Sequence, residues 1–316
     1  MPPCFQGSVI ITDGFLIILG GTLTLPHHPQ RRTATVIGIA LVISGYFLSS
    51  ISDVAVKYMS GGYSASQVVF FTALFSLLPM VAAVMAGGGP VILATARPGL
   101  HLLRGTIGFI GYMCGYYAIG HMPLADFYAM VFTAPLFITA FSALIAGEWV
   151  CRQRWLAVGV GFIGVLVMVR PGSGDVGLGT LAVLAGSVCY ACSVLLVRRM
   201  GEREQAAAFG FYGALVMVGG AGLFLSSPTL PSRPDLVLFA VSGIGMGTAL
   251  LCIFAAFGRA PAAALAPFQY SQMIWGVLAG FFLFGDSPNW AVACGGALVI
   301  GSGLYILYRE TRSQPA

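Results

Sequence analysis

The chain has 316 residues, 58% of them hydrophobic and 8% charged, with a formal net charge of +5. An ordinary soluble domain carries roughly 25% charged residues, so most of this surface must face lipid, and the 43 glycines suit helices that approach closely inside a membrane. The small positive excess is not a nucleic-acid signal, because its placement matters more than its sum. Seven cysteines, an odd number scattered through apolar runs, argue against a disulfide framework. Cys189 and Cys192 form a CxxC inside an apolar segment without a second pair, which fits small packing residues rather than a metal or redox centre.

Residues 1–33 form an N-terminal tail. Gly14 to Leu25 is apolar but too short to span, Asp13 interrupts any extension, and Met1 to Gly7 lacks the basic start of a signal peptide. An interfacial tail is expected there. A span needs about 20 mostly apolar residues, and ten such segments follow: 35–56, 66–86, 103–120, 124–146, 155–170, 178–197, 206–226, 236–257, 262–284 and 289–308. The fold class is therefore an all-α membrane protein with ten transmembrane helices. Links as short as His121-Met122-Pro123 and Arg259-Ala260-Pro261 force antiparallel hairpins, and residues 309–316 form a second tail.

Charged groups inside a membrane are costly and mark function by default. Asp53 lies one turn inside the end of span 1, and Lys57 is four residues on, where the two can pair on one helix face. Asp126 opens span 4. These three are the candidates for coupling or gating. Arg104 is expected to anchor span 3 at the membrane surface. Glu148 and Asp286 close spans 4 and 9; capping the next helix or pairing with Arg152 or Arg154 is expected of them.

A substrate cavity needs polar and aromatic groups. Tyr112 and Tyr116 are at i and i+4 in span 3, Tyr190 lies mid-span in span 6, and span 9 carries Gln269, Gln272 and Trp275. Tyrosines far from the interface need a pore or a buried partner, and amides in an apolar span need partners too. Such a cavity suits a flat ligand with polar edges: an isoalloxazine, a purine or an aromatic amino acid. Pro135 and Pro267 are expected to kink spans 4 and 9 beside it. The Gly243-x-Gly245-x-Gly247 run sits inside a span with no Lys-Ser/Thr after it, so close helix contact is expected there rather than a phosphate loop.

Two stretches repeat. Aligned without gaps, Cys114–Glu148 and Cys252–Asp286 match at Cys114/Cys252, Ala118/Ala256, Gly120/Gly258, Pro123/Pro261, Gly147/Gly285 and Glu148/Asp286. Lys57-Tyr58-Met59 resembles Arg198-Arg199-Met200, with Gly38 and Gly179 equally far upstream. Twelve Lys/Arg fall on the side that begins span 1 and three on the other, which makes the first side, and both termini, cytoplasmic. Five spans per half is odd, so the halves are inverted-topology repeats, a transporter architecture with its site between them.

The string Leu103-Arg104-Gly105, Ala118-Ile119-Gly120-His121-Met122-Pro123-Leu124-Ala125, Pro135 and Gly147-Glu148 resembles the EamA domain of the drug/metabolite transporter superfamily. The second half repeats it, with Asp286 for Glu and Ser242-Gly243 for Arg-Gly. The resemblance implies two EamA repeats, 34–170 and 178–308, and a secondary-active transporter of a small metabolite in a bacterial inner membrane, with no cofactor. Asp53-Val54-Ala55-Val56-Lys57 further resembles a subset holding S-adenosylmethionine uptake carriers and riboflavin transporters. The resemblance leans to riboflavin uptake, with S-adenosylmethionine uptake or export of amino acids or drugs as alternatives.

The expected partners are a small-molecule substrate and the lipid bilayer, with no nucleic acid, in a monomer or homodimer. An intramembrane enzyme lacks support: HExxH, GxSxG and a mid-span carboxylate pair are missing from the sequence, and its four histidines lie outside the expected membrane core. A channel fits short, tight loops less well than a carrier does.

Overall fold

The computed structural model describes residues 28–146, 152–170, 177–200, 206–225, 229–257, 259–260, 265–286 and 289–313. The expected interfacial segment at 14–25, Glu148 and Pro261 lie outside them. The described residues are helical: α1 (His28–Met59), α2 (Ala65–Ala86), α3 (Pro98–His121), α4 (Leu124–Val131), α5 (Ala134–Ala146), α6 (Arg152–Val169), α7 (Leu178–Met200), α8 (Ala206–Leu223), α9 (Arg233–Phe257), α10 (Ser271–Phe284) and α11 (Trp290–Ser313), with 3-10 turns at Pro90–Leu93 and Ala266–Tyr270. Helices α4 and α5 together make span 4; the Ala266–Tyr270 turn and α10 make span 9. Among the described residues five stretches are long and apolar enough to cross a membrane, and four shorter apolar helices accompany them. The protein is an all-α membrane protein of ten spans in two inverted five-helix repeats.

The repeat shows in the packing. Gly45 of α1 rests on Ala249 and Cys252 of α9, while Gly186 of α7 rests on Gly111 and Cys114 of α3. Gly38 meets Arg259 and Ala260; Gly179 meets His121 and Met122. Each of these partners is the repeat counterpart of the other, so the first helix of each half lies on the third helix of the opposite half in the same register. At Gly45 and Gly38 the facing residues occupy the space a side chain would fill, while Gly179 and Gly186 sit in looser contact. Gly164 and Gly295 likewise bring α6 and α11 into backbone contact.

The expected close contact at Gly243-x-Gly245-x-Gly247 is present. Gly243 lies against Thr72 and Phe75, and Gly247 against Ser76 and Pro79, so α9 seats directly on α2.

Spans 4 and 9 are both interrupted, at equivalent places. The α4–α5 break falls at Phe132-Thr133, and the 3-10 turn gives way to α10 at Tyr270-Ser271, each pair in the same repeat register. Phe132 and Tyr270 touch across the junction, with ring centroids 5.0 Å apart. Pro135 sits in the first turn of α5, where its missing N–H costs nothing. The kink expected at Pro135 is a two-residue turn at Phe132-Thr133, across which Phe132 still donates to the Tyr128 carbonyl and Phe137 to that of Thr133. Broken helices at the repeat interface are how membrane carriers free backbone and side-chain groups for a binding site.

Candidate functional site

Asp53 is the centre of a buried polar cluster. It is 5% exposed on α1 and accepts a hydrogen bond from the Tyr128 hydroxyl of α4 at 2.6 Å. Gln272 of α10 reaches it from the other half, its amide nitrogen 3.5 Å from the Asp53 carboxylate and 3.3 Å from the Ser49 hydroxyl. The Tyr128 ring occupies the space a Cβ on Gly276 would need, so α4 and α10 interlock at the point where both hold Asp53. The cluster therefore joins the two halves through one carboxylate.

Tyr116 and Tyr112 continue the cluster along α3. The Tyr116 hydroxyl lies beside Ser52 and Thr72, which share the hydroxyl of Ser242 at 3.0 and 3.2 Å. Tyr112 meets Tyr116 edge-on at 5.7 Å and points its hydroxyl at the Met246 sulfur. Tyr190 of α7 is 54% exposed yet lies within electrostatic reach of Tyr46 on α1 and of Tyr112 and Arg104 on α3. An exposed side chain with neighbours from both halves lines an open space, not a packed core. From Asp53 this tyrosine cluster extends toward Arg104 on α3.

The opposite end is sealed. Val56, Met59, Ala118, Ile119, Leu124 and Ala125 are buried around it. Lys57 forms an ion pair with Asp286 at 2.5 Å and lies over the Phe284 ring. Asp286 also accepts from the Leu124 backbone N–H at 3.1 Å, and Gly285 before it takes a left-handed φ of 68° that ends α10. Asp126 is close enough to feel both charges.

Two expectations change here. Lys57 pairs across the repeat interface rather than with Asp53, because Asp53 turns inward to Tyr128 while Lys57, one turn nearer the helix end, extends to the rim. Asp286 accepts from Lys57 and α4 instead of pairing with Arg152 or Arg154.

The remaining expected residues are placed less centrally. Gln269 is half-buried in the 3-10 turn and does not join the Asp53 cluster. Trp275 packs edge-on to Phe47 at 5.1 Å, and its buried indole N–H has no partner among the described residues. Tyr128, Tyr46 and Ser49 were not expected. Tyr128 was legible by the rule that found Tyr112, since it too is a tyrosine deep in an apolar span. Among the described residues there is no cluster of ligating side chains for a metal ion.

A surface depression of about 340 Å³ lies at the sealed end, lined by Tyr58, Met59, Tyr63, Thr229 and Asp235. Asp235 is already held by Ser232 and by Tyr63 at 2.7 Å, and that bond pushes the Tyr63 hydroxyl above its ordinary range. Satisfied groups of this kind tie two loops together and do not await a ligand.

An interrupted helix pair and a buried carboxylate shared between inverted halves are features of a membrane carrier. The EamA-like transporter family matches residues 36–170 and 177–308, and the chain belongs to that family. It is similar to the S-adenosylmethionine uptake transporter of Rickettsia prowazekii, 28% identical over 87% of this chain and 94% of that one. It is also similar to the riboflavin transporter of Vibrio cholerae, 26% identical over 92% and 97%, and to the pseudopaline exporter of Pseudomonas aeruginosa, 26% identical over 83% and 93%. A protein of known crystal structure shares the fold, with a TM-score of 0.62 and 20% identity over 90% of this chain and 99% of that one. The chain is a multi-pass membrane transporter of a small metabolite.

Proposed function

We propose that this chain is a secondary-active carrier that imports S-adenosylmethionine across a bacterial inner membrane by alternating access, with both termini cytoplasmic. The observation that carries the reading is Asp53, a carboxylate buried beside a tyrosine-lined space. A sulfonium nucleoside supplies both halves of the match. Its flat base stacks on the tyrosine rings, and its fixed positive charge is attracted by those rings and compensated by the carboxylate. Asp53 then serves as the coupling residue, its carboxylate holding the substrate cation while the two halves exchange states. Lys57, Asp286 and Asp126 form the outer gate, closed in this conformation. Import is supported by the uptake carriers among the relatives; the exporter among them marks how readily the fold runs the other way.

Riboflavin uptake is the second reading, favoured by the Gln272 amide. With Tyr112 and Tyr190, it offers a neutral ring both a stacking face and edge hydrogen bonds. A neutral ligand leaves the Asp53 charge uncompensated, which places this reading second.

Uptake of labelled S-adenosylmethionine and of labelled riboflavin, by bacteria lacking their own importers and expressing this chain, decides between them. Saturable S-adenosylmethionine uptake blocked by the unlabelled compound is the expected result. Riboflavin uptake without S-adenosylmethionine uptake would overturn the first reading in favour of the second.

A further inference from the structure

Among the described residues Arg104 has no carboxylate partner, and the Lys57–Asp286 ion pair lies at the far end of the bundle. The Arg104 guanidinium donates from one terminal nitrogen to the Phe209 carbonyl at 2.8 Å and lies over the Phe209 ring at 5.2 Å. Its Nε is buried with no hydrogen-bond partner. A guanidinium has five donors in a fixed fork, shaped for two parallel bonds to a carboxylate. Leaving its Nε buried inside a membrane with no partner is costly, and such residues mark substrate paths.

Its position fits a path. Arg104 is eight residues before Tyr112 on α3, or roughly 12 Å along the helix axis. It is within electrostatic reach of both Tyr112 and Tyr190, the tyrosines of the open space. Tyr112 is in turn within reach of Asp53. The tyrosine cluster therefore has a charged group at each end, Asp53 beside the sealed end and Arg104 at the other. This arrangement goes beyond a surface anchor, because an anchor points its charge into water rather than leaving Nε buried.

We propose that Arg104 is a carboxylate-binding residue of the transport site, so that the substrate class is an amino acid carrying an aromatic or nucleoside group. The proposal rests on the reading of the Asp53–tyrosine space as the substrate site and narrows it. It selects for ligands with a free carboxylate at one end and against flat neutral rings that lack one.

The test is heat stability and ligand affinity of the purified full chain in detergent, measured with paired probes. One pair is S-adenosylmethionine and its decarboxylated form; the other is tryptophan and tryptamine; riboflavin is the carboxylate-free control. Charge-assisted hydrogen bonds of this kind correspond to about tenfold or more in affinity. The parent protein is expected to bind S-adenosylmethionine at least about tenfold more tightly than the decarboxylated form. Arg104→Gln is expected to close that gap by weakening the carboxylate-bearing probe alone. Arg104→Lys, which keeps the charge but loses the fork, is expected to retain part of it and covers the case in which the glutamine variant fails to fold.

Equal binding of both members of the pair by the parent protein would overturn the Arg104 proposal while leaving the substrate reading intact. If S-adenosylmethionine does not bind but tryptophan outperforms tryptamine only when Arg104 is present, the substrate reading fails and the carboxylate site stands. Riboflavin binding that is unchanged in Arg104→Gln, with neither carboxylate probe bound, overturns both.

Discussion

Asp53 joins three elements at one atom: α1 supplies it, Tyr128 of α4 donates to it at 2.6 Å, and Gln272 of α10 approaches it at 3.5 Å. A carboxylate so placed feels any rearrangement of the two halves. Asp53→Asn keeps the shape and the Tyr128 contact but removes the exchangeable charge. We expect the variant to bind S-adenosylmethionine more weakly and to lose its concentrative uptake; undiminished binding and uptake would remove Asp53 from the substrate site. Asp53 and Gln272 were legible in the sequence because a charge or an amide in an apolar span has few innocent explanations. The partner of Lys57 was not legible. Spacing offered Asp53 four residues back, whereas the real partner, Asp286, is 229 residues away and is brought near only by the inverted packing. Nor does the position of Arg104 in the chain reveal that its Nε is buried.

At the scale of elements, the decisive feature is the paired break in spans 4 and 9. The prolines pointed to the right spans, but a proline marks where a helix can restart more surely than where it ends, and the breaks fall at Phe132-Thr133 and Tyr270-Ser271. The Gly276–Tyr128 contact locks these two spans together. Adding one methyl group at Gly276 drives it into the Tyr128 ring, an overpacking that costs about 1–3 kcal/mol. Gly276→Ala should therefore lower the melting temperature and weaken substrate binding together. Tyr128→Phe, which keeps the ring but loses the hydrogen bond to Asp53, should disturb binding more than stability. Equal stability of the alanine variant and the parent would mean that α4 and α10 are not held by this contact.

The whole molecule is two halves related by inversion, and that symmetry was legible from the matching landmarks and the charge bias. The conformation was not: a sequence common to all states of a carrier cannot favour one. Here the Lys57 end is closed by an ion pair set among buried apolar residues, with the two side chains 15% and 16% exposed. Removing one partner of a fully buried pair costs about 3–5 kcal/mol, and the partial exposure of this pair lowers that. Lys57→Ala should lose stability by less than that amount, and the Lys57→Ala/Asp286→Ala double variant should recover part of it. A double variant as unstable as the sum of its parts would show that the pair does not act as a latch.

The central claim is that the chain is a carrier exchanging between states, and counterflow in proteoliposomes tests it most directly. Vesicles containing the purified protein are loaded with unlabelled S-adenosylmethionine and diluted into a trace of the labelled compound. A carrier predicts transient accumulation of label above the outside concentration, because outgoing substrate returns sites that bind incoming label. Label that enters at the same rate with empty and loaded vesicles and never exceeds equilibrium would contradict alternating access and point to a pore.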